Sequence, residues 1–192
     1  MRIVGGRLKG RSLAGPKSDT IRPTSDRLRE SLFNILWHTY GLPTPDTRVL
    51  DLFAGTGALA LEALSRGAAF ALLVETGTEG RGLIRRNIED FALTGSTRIF
   101  RRDATALGKV GTMDPFDLVF CDPPYGKGLG EKALAGAAAG GWLAPETLIV
   151  LEERANISVA LPEGFELLDS RESGDSQLLF IRCGGTAADP KP

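Results

Sequence analysis

A chain of 192 residues, 42% hydrophobic and 24% charged, is long enough for one full core and has the composition of an ordinary globular protein. No apolar run approaches the length that spans a bilayer, and Met1 to Gly6 hold no signal-peptide core, so a cytoplasmic protein is expected. Two cysteines, one histidine and no CxxC pairing indicate neither a disulfide framework nor a zinc site, and a net charge of −1 argues against a uniformly basic nucleic-acid binder.

The charge is unevenly placed. Residues 1–30 carry eight Lys/Arg (Arg2, Arg7, Lys9, Arg11, Lys17, Arg22, Arg27, Arg29) against three acids, Asp19, Asp26 and Glu30. A basic segment on an acidic body suits an arm that contacts phosphates, because each cation placed on a phosphate releases condensed counterions. Residues 2–13 read as a small hairpin around Gly5-Gly6 and Gly10, followed by a loop with Gly15, Pro16 and Pro23. A helix follows, capped by Thr24 or Ser25. Its apolar stripe is Leu28, Leu32, Ile35 and Leu36, and Arg27, Ser31, Asn34 and His38 make the polar face.

From Thr47 apolar strands alternate with helical segments, the pattern of a doubly wound sheet. Strands are predicted near 48–53, 70–75, 97–101, 117–121, 147–152, 164–169 and 177–182, and helices near 57–66, 78–92 and 130–141. The last two strands have no helix between them and should pair antiparallel at an edge. Two helices look weakly specified: Gly77, Gly80 and Gly82 crowd one, where an interior glycine costs about 1 kcal/mol against alanine, and residues 133–141 are nearly all Ala and Gly. Cys121 and Cys183 fall in strand-like runs as core residues. The expected organisation is a basic N-terminal extension over 1–46, a doubly wound domain over 47–183 and a disordered tail over 184–192.

Three strand ends carry acids. Val49-Leu-Asp-Leu-Phe-Ala-Gly-Thr-Gly57 is a strand running into a glycine turn that opens a helix, where open α/β sheets bind ligands. Gly55, Gly57 and Ala60 also match the GxGxxA of dinucleotide sites. Asp51 argues against that reading, because a carboxylate four residues before the first glycine is poorly placed beside a pyrophosphate and well placed for a cationic amino acid moiety. Glu75 closes the next strand, where an acid can accept from both hydroxyls of a ribose. Asp103 follows the third strand, within reach of an adenine amine.

The fourth strand ends in Asp122-Pro123-Pro124-Tyr125. Two prolines cannot donate to a ladder and each fixes φ near −65°, so the strand stops in a stiff loop. A carboxylate and a carbonyl offer acceptors to an NH2 group, and the phenol ring offers a flat face, which suits a flipped base with an exocyclic amine.

These residues resemble class I S-adenosylmethionine-dependent methyltransferases, and among them the bacterial 16S ribosomal RNA guanine-N2 methyltransferases of the RsmD type. The resemblance runs through Arg2-Ile-Val-Gly-Gly6, Arg22-Pro-Thr-Ser-Asp-Arg-Leu-Arg-Glu-Ser-Leu-Phe-Asn-Ile-Leu36, Asp51-Leu-Phe-Ala-Gly-Thr-Gly57 and Asp122-Pro-Pro-Tyr125. It implies a Rossmann-like α/β fold, with a seven-stranded, mostly parallel sheet, an antiparallel edge pair and a small N-terminal hairpin and helix. S-adenosyl-L-methionine would be held by Asp51, Gly55 and Gly57 at its methionine end, by Glu75 at the ribose, and by Asp103 and the Ala104 backbone at the adenine. Asp122 and the Pro123 carbonyl would hold the guanine amine and Tyr125 would stack on the base. Arg7, Lys9, Arg11, Arg22 and Arg27 would grip 16S ribosomal RNA or the small ribosomal subunit, with no metal and a monomeric chain. Methylation of adenine in DNA or RNA, or an inactive RNA-binding module, stand as the alternatives.

Overall fold

The computed structural model describes residues 1–16 and 25–184. The chain groups into two compact units, Met1–Ala104 and Thr105–Pro192.

In the first unit, helix α1 spans Asp26–Tyr40. Ser25 caps it, its Oγ accepting the Leu28 N–H at 3.2 Å, and Gly41 ends it in the left-handed conformation. The buried face is Arg29, Leu32, Phe33 and Leu36; Leu28 and Ile35 are only half-buried, so the stripe lies slightly round the helix from its expected centre. The expected polar face, Arg27, Ser31, Asn34 and His38, is exposed. Strands β1 (Arg48–Leu52), β2 (Phe70–Val74) and β3 (Thr97–Phe100) follow, with α2 (Ala58–Ser65) and α3 (Thr78–Asp90) as crossovers. They are parallel in the order β3-β2-β1, with Leu52, Val74 and Phe100 in register, so three strands end together at one edge.

The N-terminal residues are part of this unit. The two arms of the expected hairpin do run antiparallel, but the ladder is one bridge, Arg2 to Ser12, with a 3-10 turn at Gly6–Leu8 between them. What holds the turn is α2. Buried Glu62 accepts the Val4 N–H at 2.9 Å and pairs with Arg66 at 2.9 Å; buried Ser65 accepts the Leu8 N–H at 2.9 Å and donates to the Gly5 carbonyl at 2.6 Å. Gly6 has φ 72°, and a Cβ there would lie 2.0 Å from the Ser65 carbonyl oxygen, so only glycine permits this docking. The Arg66 guanidinium also covers the Phe33 ring of α1 at 5.0 Å, tying turn, α1 and α2 together.

In the second unit, β4 is Phe116–Cys121, α4 Leu129–Ala139, β5 Leu143–Arg154, β6 Phe165–Ser173 and β7 Ser176–Cys183. The order is β4-β5-β7-β6, with β4 and β5 parallel and β7 antiparallel to both its neighbours. The expected antiparallel edge pair is therefore present, with β7 between β5 and β6. The reason is burial: Leu178, Leu179, Phe180 and Ile181 are all buried, whereas β6 carries Glu166, Asp169, Arg171 and Glu172 and takes the edge, where charges discourage further pairing. Fully buried Trp142 donates from Nε1 to the Gly108 carbonyl at 2.7 Å and stacks on Phe116.

Cys121 is buried and Cys183 half-buried, both free thiols. Among the described residues no group of acids, histidines and cysteines is arranged to hold a metal, and no helix is long and apolar enough to cross a membrane. Of the expected tail 184–192, all but Gly184 lies outside the described residues.

Candidate active site

The carboxyl edge of the first unit gathers Asp51, the Gly55-Thr56-Gly57 turn and Glu75. Asp51 is 2% exposed on β1. Its Oδ2 accepts the Ala60 N–H at 3.3 Å, and among the described residues it forms no ion pair. Burial pushes its carboxyl up to about 7, against the pull of the Ala60 hydrogen bond and with a further push from the Glu75 charge. A buried acid without a cation is unfavourable until a cation arrives. That is the chemistry the ammonium of a methionine-like ligand supplies.

Glu75 organises the turn. Its Oε2 accepts the Gly55 N–H at 2.8 Å and its Oε1 the Gly77 N–H at 2.6 Å, leaving each oxygen a further lone pair for a hydroxyl. Gly80, expected to weaken α3, has a reason to be there. A Cβ at that position would stand 2.9 Å from the Gly55 carbonyl oxygen and 2.9 Å from Glu75 Cγ, so the glycine lets α3 approach the turn. Phe53, at φ 60°, is a non-glycine residue held in the left-handed region as the chain leaves β1.

Sequence reasoning missed Asn87. Buried on α3, it accepts the Ala14 N–H at 2.7 Å and donates through Nδ2 to the Thr56 carbonyl at 3.2 Å, tying the N-terminal segment to the glycine turn. Its only signal is an amide on the apolar side of an amphipathic helix. Asp103 is exposed after β3, and Ala104 is buried at the start of a 3-10 turn.

In the second unit Asp122 and Tyr125 are half-buried and Pro123 is buried, directly after β4. The loop is held from β5. The Tyr125 hydroxyl donates to Glu152 Oε1 at 2.6 Å, and the Gly126 N–H donates to both oxygens of Glu153, at 3.0 and 3.2 Å. Asp122 follows Cys121 as Glu152 follows Leu151, and Cys121 and Leu151 are register partners. Neither glutamate was anticipated. Two acids directly after the apolar run Leu148–Leu151 were the available signal.

Of the basic residues, Arg7, Lys9 and Arg27 are exposed. Arg11 is exposed too, yet its guanidinium donates to the Asp90 carbonyl and lies 5.0 Å from the Phe91 ring centroid, so it also braces the N-terminal segment against the end of α3. Arg22 lies outside the described residues. Burial tends to raise the Asp26 carboxyl, but hydrogen bonds from the Arg2 N–H and Arg29, with the charges of Arg29 and the N-terminus, bring it below the usual range.

Fold and site together define a Rossmann-like methyltransferase, with the seven-stranded, mostly parallel sheet and antiparallel edge pair expected from the sequence. The structure is similar to that of a putative methyltransferase from Escherichia coli, with a TM-score of 0.82, 34% identity, and coverage of 96% of this chain and 98% of that one. A putative RNA methyltransferase from Pyrococcus horikoshii, 18% identical with a TM-score of 0.64 and covering 90% and 93% of the two chains, shares the fold.

Residues 1–182 match the family described as Conserved hypothetical protein 95, and the chain belongs to that family. It is 40% identical over 178 residues to the ribosomal RNA small subunit methyltransferase D of Escherichia coli K12, covering 91% of this chain and 85% of the relative. To the protein of the same name from Haemophilus influenzae it is 32% identical over 177 residues, covering 91% and 89%. The resemblance to the RsmD type drawn from the motifs is thus borne out.

Proposed function

We propose that this protein transfers a methyl group from S-adenosyl-L-methionine to the exocyclic N2 amine of a guanine in 16S ribosomal RNA. The observation that carries this reading is the Asp122-Pro-Pro-Tyr125 loop, which follows β4 with its tyrosine hydroxyl tethered at 2.6 Å to a buried glutamate. The names of the curated relatives support ribosomal RNA as the substrate class.

Asp51 would pair with the cofactor's ammonium, Gly55 and Gly57 would admit its methionine end to the backbone, Glu75 would accept from the ribose hydroxyls, and Asp103 with the Ala104 backbone would take the adenine. Bound there, the cofactor supplies an electrophilic methyl on a sulfonium. The protein's part is to make a poor nucleophile attack. The guanine amine shares its lone pair with the ring, and hydrogen bonds from its two protons to Asp122 and the Pro123 carbonyl favour the pyramidal form whose lone pair points at the methyl. Tyr125 stacks on the base and holds its plane. The new N–C bond would form as the methyl–sulfonium bond breaks to leave a thioether, and the amine would lose one proton to water, with Asp122 acting as a hydrogen-bond acceptor.

Residues 1–46 form the RNA-binding extension in this reading, with Arg7, Lys9, Arg11, Arg22 and Arg27 on phosphates. The reaction needs no metal and takes place in the cytoplasm on a monomeric enzyme. Guanine is supported by the family resemblance, since adenine would satisfy the same four residues. The test is incubation with radiolabelled S-adenosyl-L-methionine and small ribosomal subunits that lack the modification, followed by mass spectrometry of the nucleosides. N2-methylguanosine in the 16S RNA is expected. No label in RNA, from protein that binds the cofactor, would refute the reading, and label on adenine would replace guanine as the target.

A further inference from the structure

Glu152 and Glu153 stand just before the end of β5 and are 9% and 4% exposed. Among the described residues neither forms an ion pair. A carboxyl group buried without a cation is unfavourable unless hydrogen bonds compensate it, and here the donors are specific. Apart from the Arg154 N–H, at 2.7 Å from Glu153, every donor they receive belongs to the loop after β4: the Tyr125 hydroxyl on Glu152 and the Gly126 N–H on Glu153. Their mounting is stiff. β5 lies between β4 and β7, with Leu151 in register with Cys121 and Glu152 in register with Leu178.

We propose that Glu152 and Glu153 are positioning residues that set the base-binding loop before substrate arrives, Glu152 by fixing the Tyr125 ring and Glu153 by fixing the turn at Gly126. This rests on the reading of Asp122 and Tyr125 as the pair that meets the base. A tyrosine ring with no hydrogen bond at its hydroxyl has more orientations open to it, and each binding event must then select the stacking one. A hydrogen bond at the far end of the ring removes that freedom during folding, so it is not lost again on binding. Hydrogen bonds to carboxylates are the stronger kind, and the two on Gly126 fasten a residue with φ 70° directly beside the ring.

The experiment compares E152A, E152Q, E153A, Y125F and the E152A/Y125F double variant in the full chain. It measures kcat and KM on small subunits, cofactor affinity, and hydrogen exchange of the Gly126 amide. E152A and Y125F should each lower kcat/KM about tenfold, a modest loss for a displaced positioning group. The double variant should be no worse than either single, because both remove one bond. E152Q should keep most activity, since its amide oxygen still accepts from the phenol. Cofactor affinity should be unchanged throughout, and the Gly126 amide should exchange faster in E153A.

Additive losses in the double variant, or wild-type kinetics in Y125F, would overturn the role of Glu152. Wild-type exchange at Gly126 in E153A would overturn that of Glu153. Y125F breaks the Glu152 bond from the loop side, so a failure of E152A to fold leaves the test intact. If the unmodified protein transfers no methyl group, the proposed function fails, and exchange of the 122–128 loop in Y125F and E153A still decides whether the tethers exist.

Discussion

Replacing Asp51 by Asn should stabilise the cofactor-free protein at neutral pH while abolishing a proton linkage. The folded carboxyl is pushed up to about 7 from an ordinary 3.8. An acid with a raised folded pKa binds its proton more tightly in the native state, so its contribution to stability is fully present below 3.8 and is lost as pH rises to about 7. Roughly three pH units at about 1.4 kcal/mol each give a loss of about 4 kcal/mol by neutral pH. An asparagine keeps an oxygen for the Ala60 N–H and cannot ionise. Urea denaturation of both proteins from pH 4 to 8 should therefore show Asp51→Asn gaining on the wild type by a few kcal/mol between pH 4 and 7, with a constant gap above. Cofactor binding should show the reverse ranking. In the wild type, pairing a cation with Asp51 below pH 7 should release close to one proton, read by calorimetry in buffers of different ionisation enthalpy; in the variant, affinity should fall and this release should vanish. Parallel stability curves, together with equal proton release, would refute the reasoning.

Asp122→Ala should leave cofactor affinity unchanged and lower turnover on the order of 10²-fold, the usual loss when one group aimed at a reacting centre is removed; turnover within a factor of two of wild type would take Asp122 out of the mechanism. Neutralising Arg7 and Lys9 together should flatten the log–log salt dependence of RNA binding by about 1.4, since each phosphate neutralised on a single strand contributes about 0.7, as measured by filter binding across salt concentrations. Arg11 is left out of that pair because its interactions with Asp90 and Phe91 would mix a stability effect into the result. Gly6→Ala should destabilise by about 2–4 kcal/mol in urea, because a Cβ would meet the Ser65 carbonyl at a left-handed position.

Much of this molecule is legible from local pattern. The strands at 48–52, 70–74, 97–100 and 116–121, and helices α1 to α4, fall within a residue or two of what apolar periodicity, and for α1 its cap, predict. Asp51, Glu75 and Asp103 could be placed at strand ends because parallel β-α units put their carboxyl ends on one edge, whatever the packing around them. Even the edge position of β6 is written in its charges, although only the paired structure reveals that β7 comes between it and β5.

What remained hidden depends on residues far apart in the chain. Glu62, Ser65 and Asn87 look like ordinary helix residues until the N-terminal segment arrives, 57 to 73 positions earlier in sequence, to use their hydrogen bonds. Gly6 reads as a turn residue and Gly80 as a weak point until their neighbours are known, and then glycine is the only residue small enough at either place. Glu152 and Glu153 acquire a role only because β5 pairs with β4 and brings them beside a loop 27 residues away. The sequence by itself determined which segments form strands and helices, and which chemical groups stand at strand ends, because periodicity and chain stiffness act over a few residues. Tertiary structure alone decided which buried polar groups hold those site residues still, since a hydrogen bond depends on a partner whose position no local pattern records.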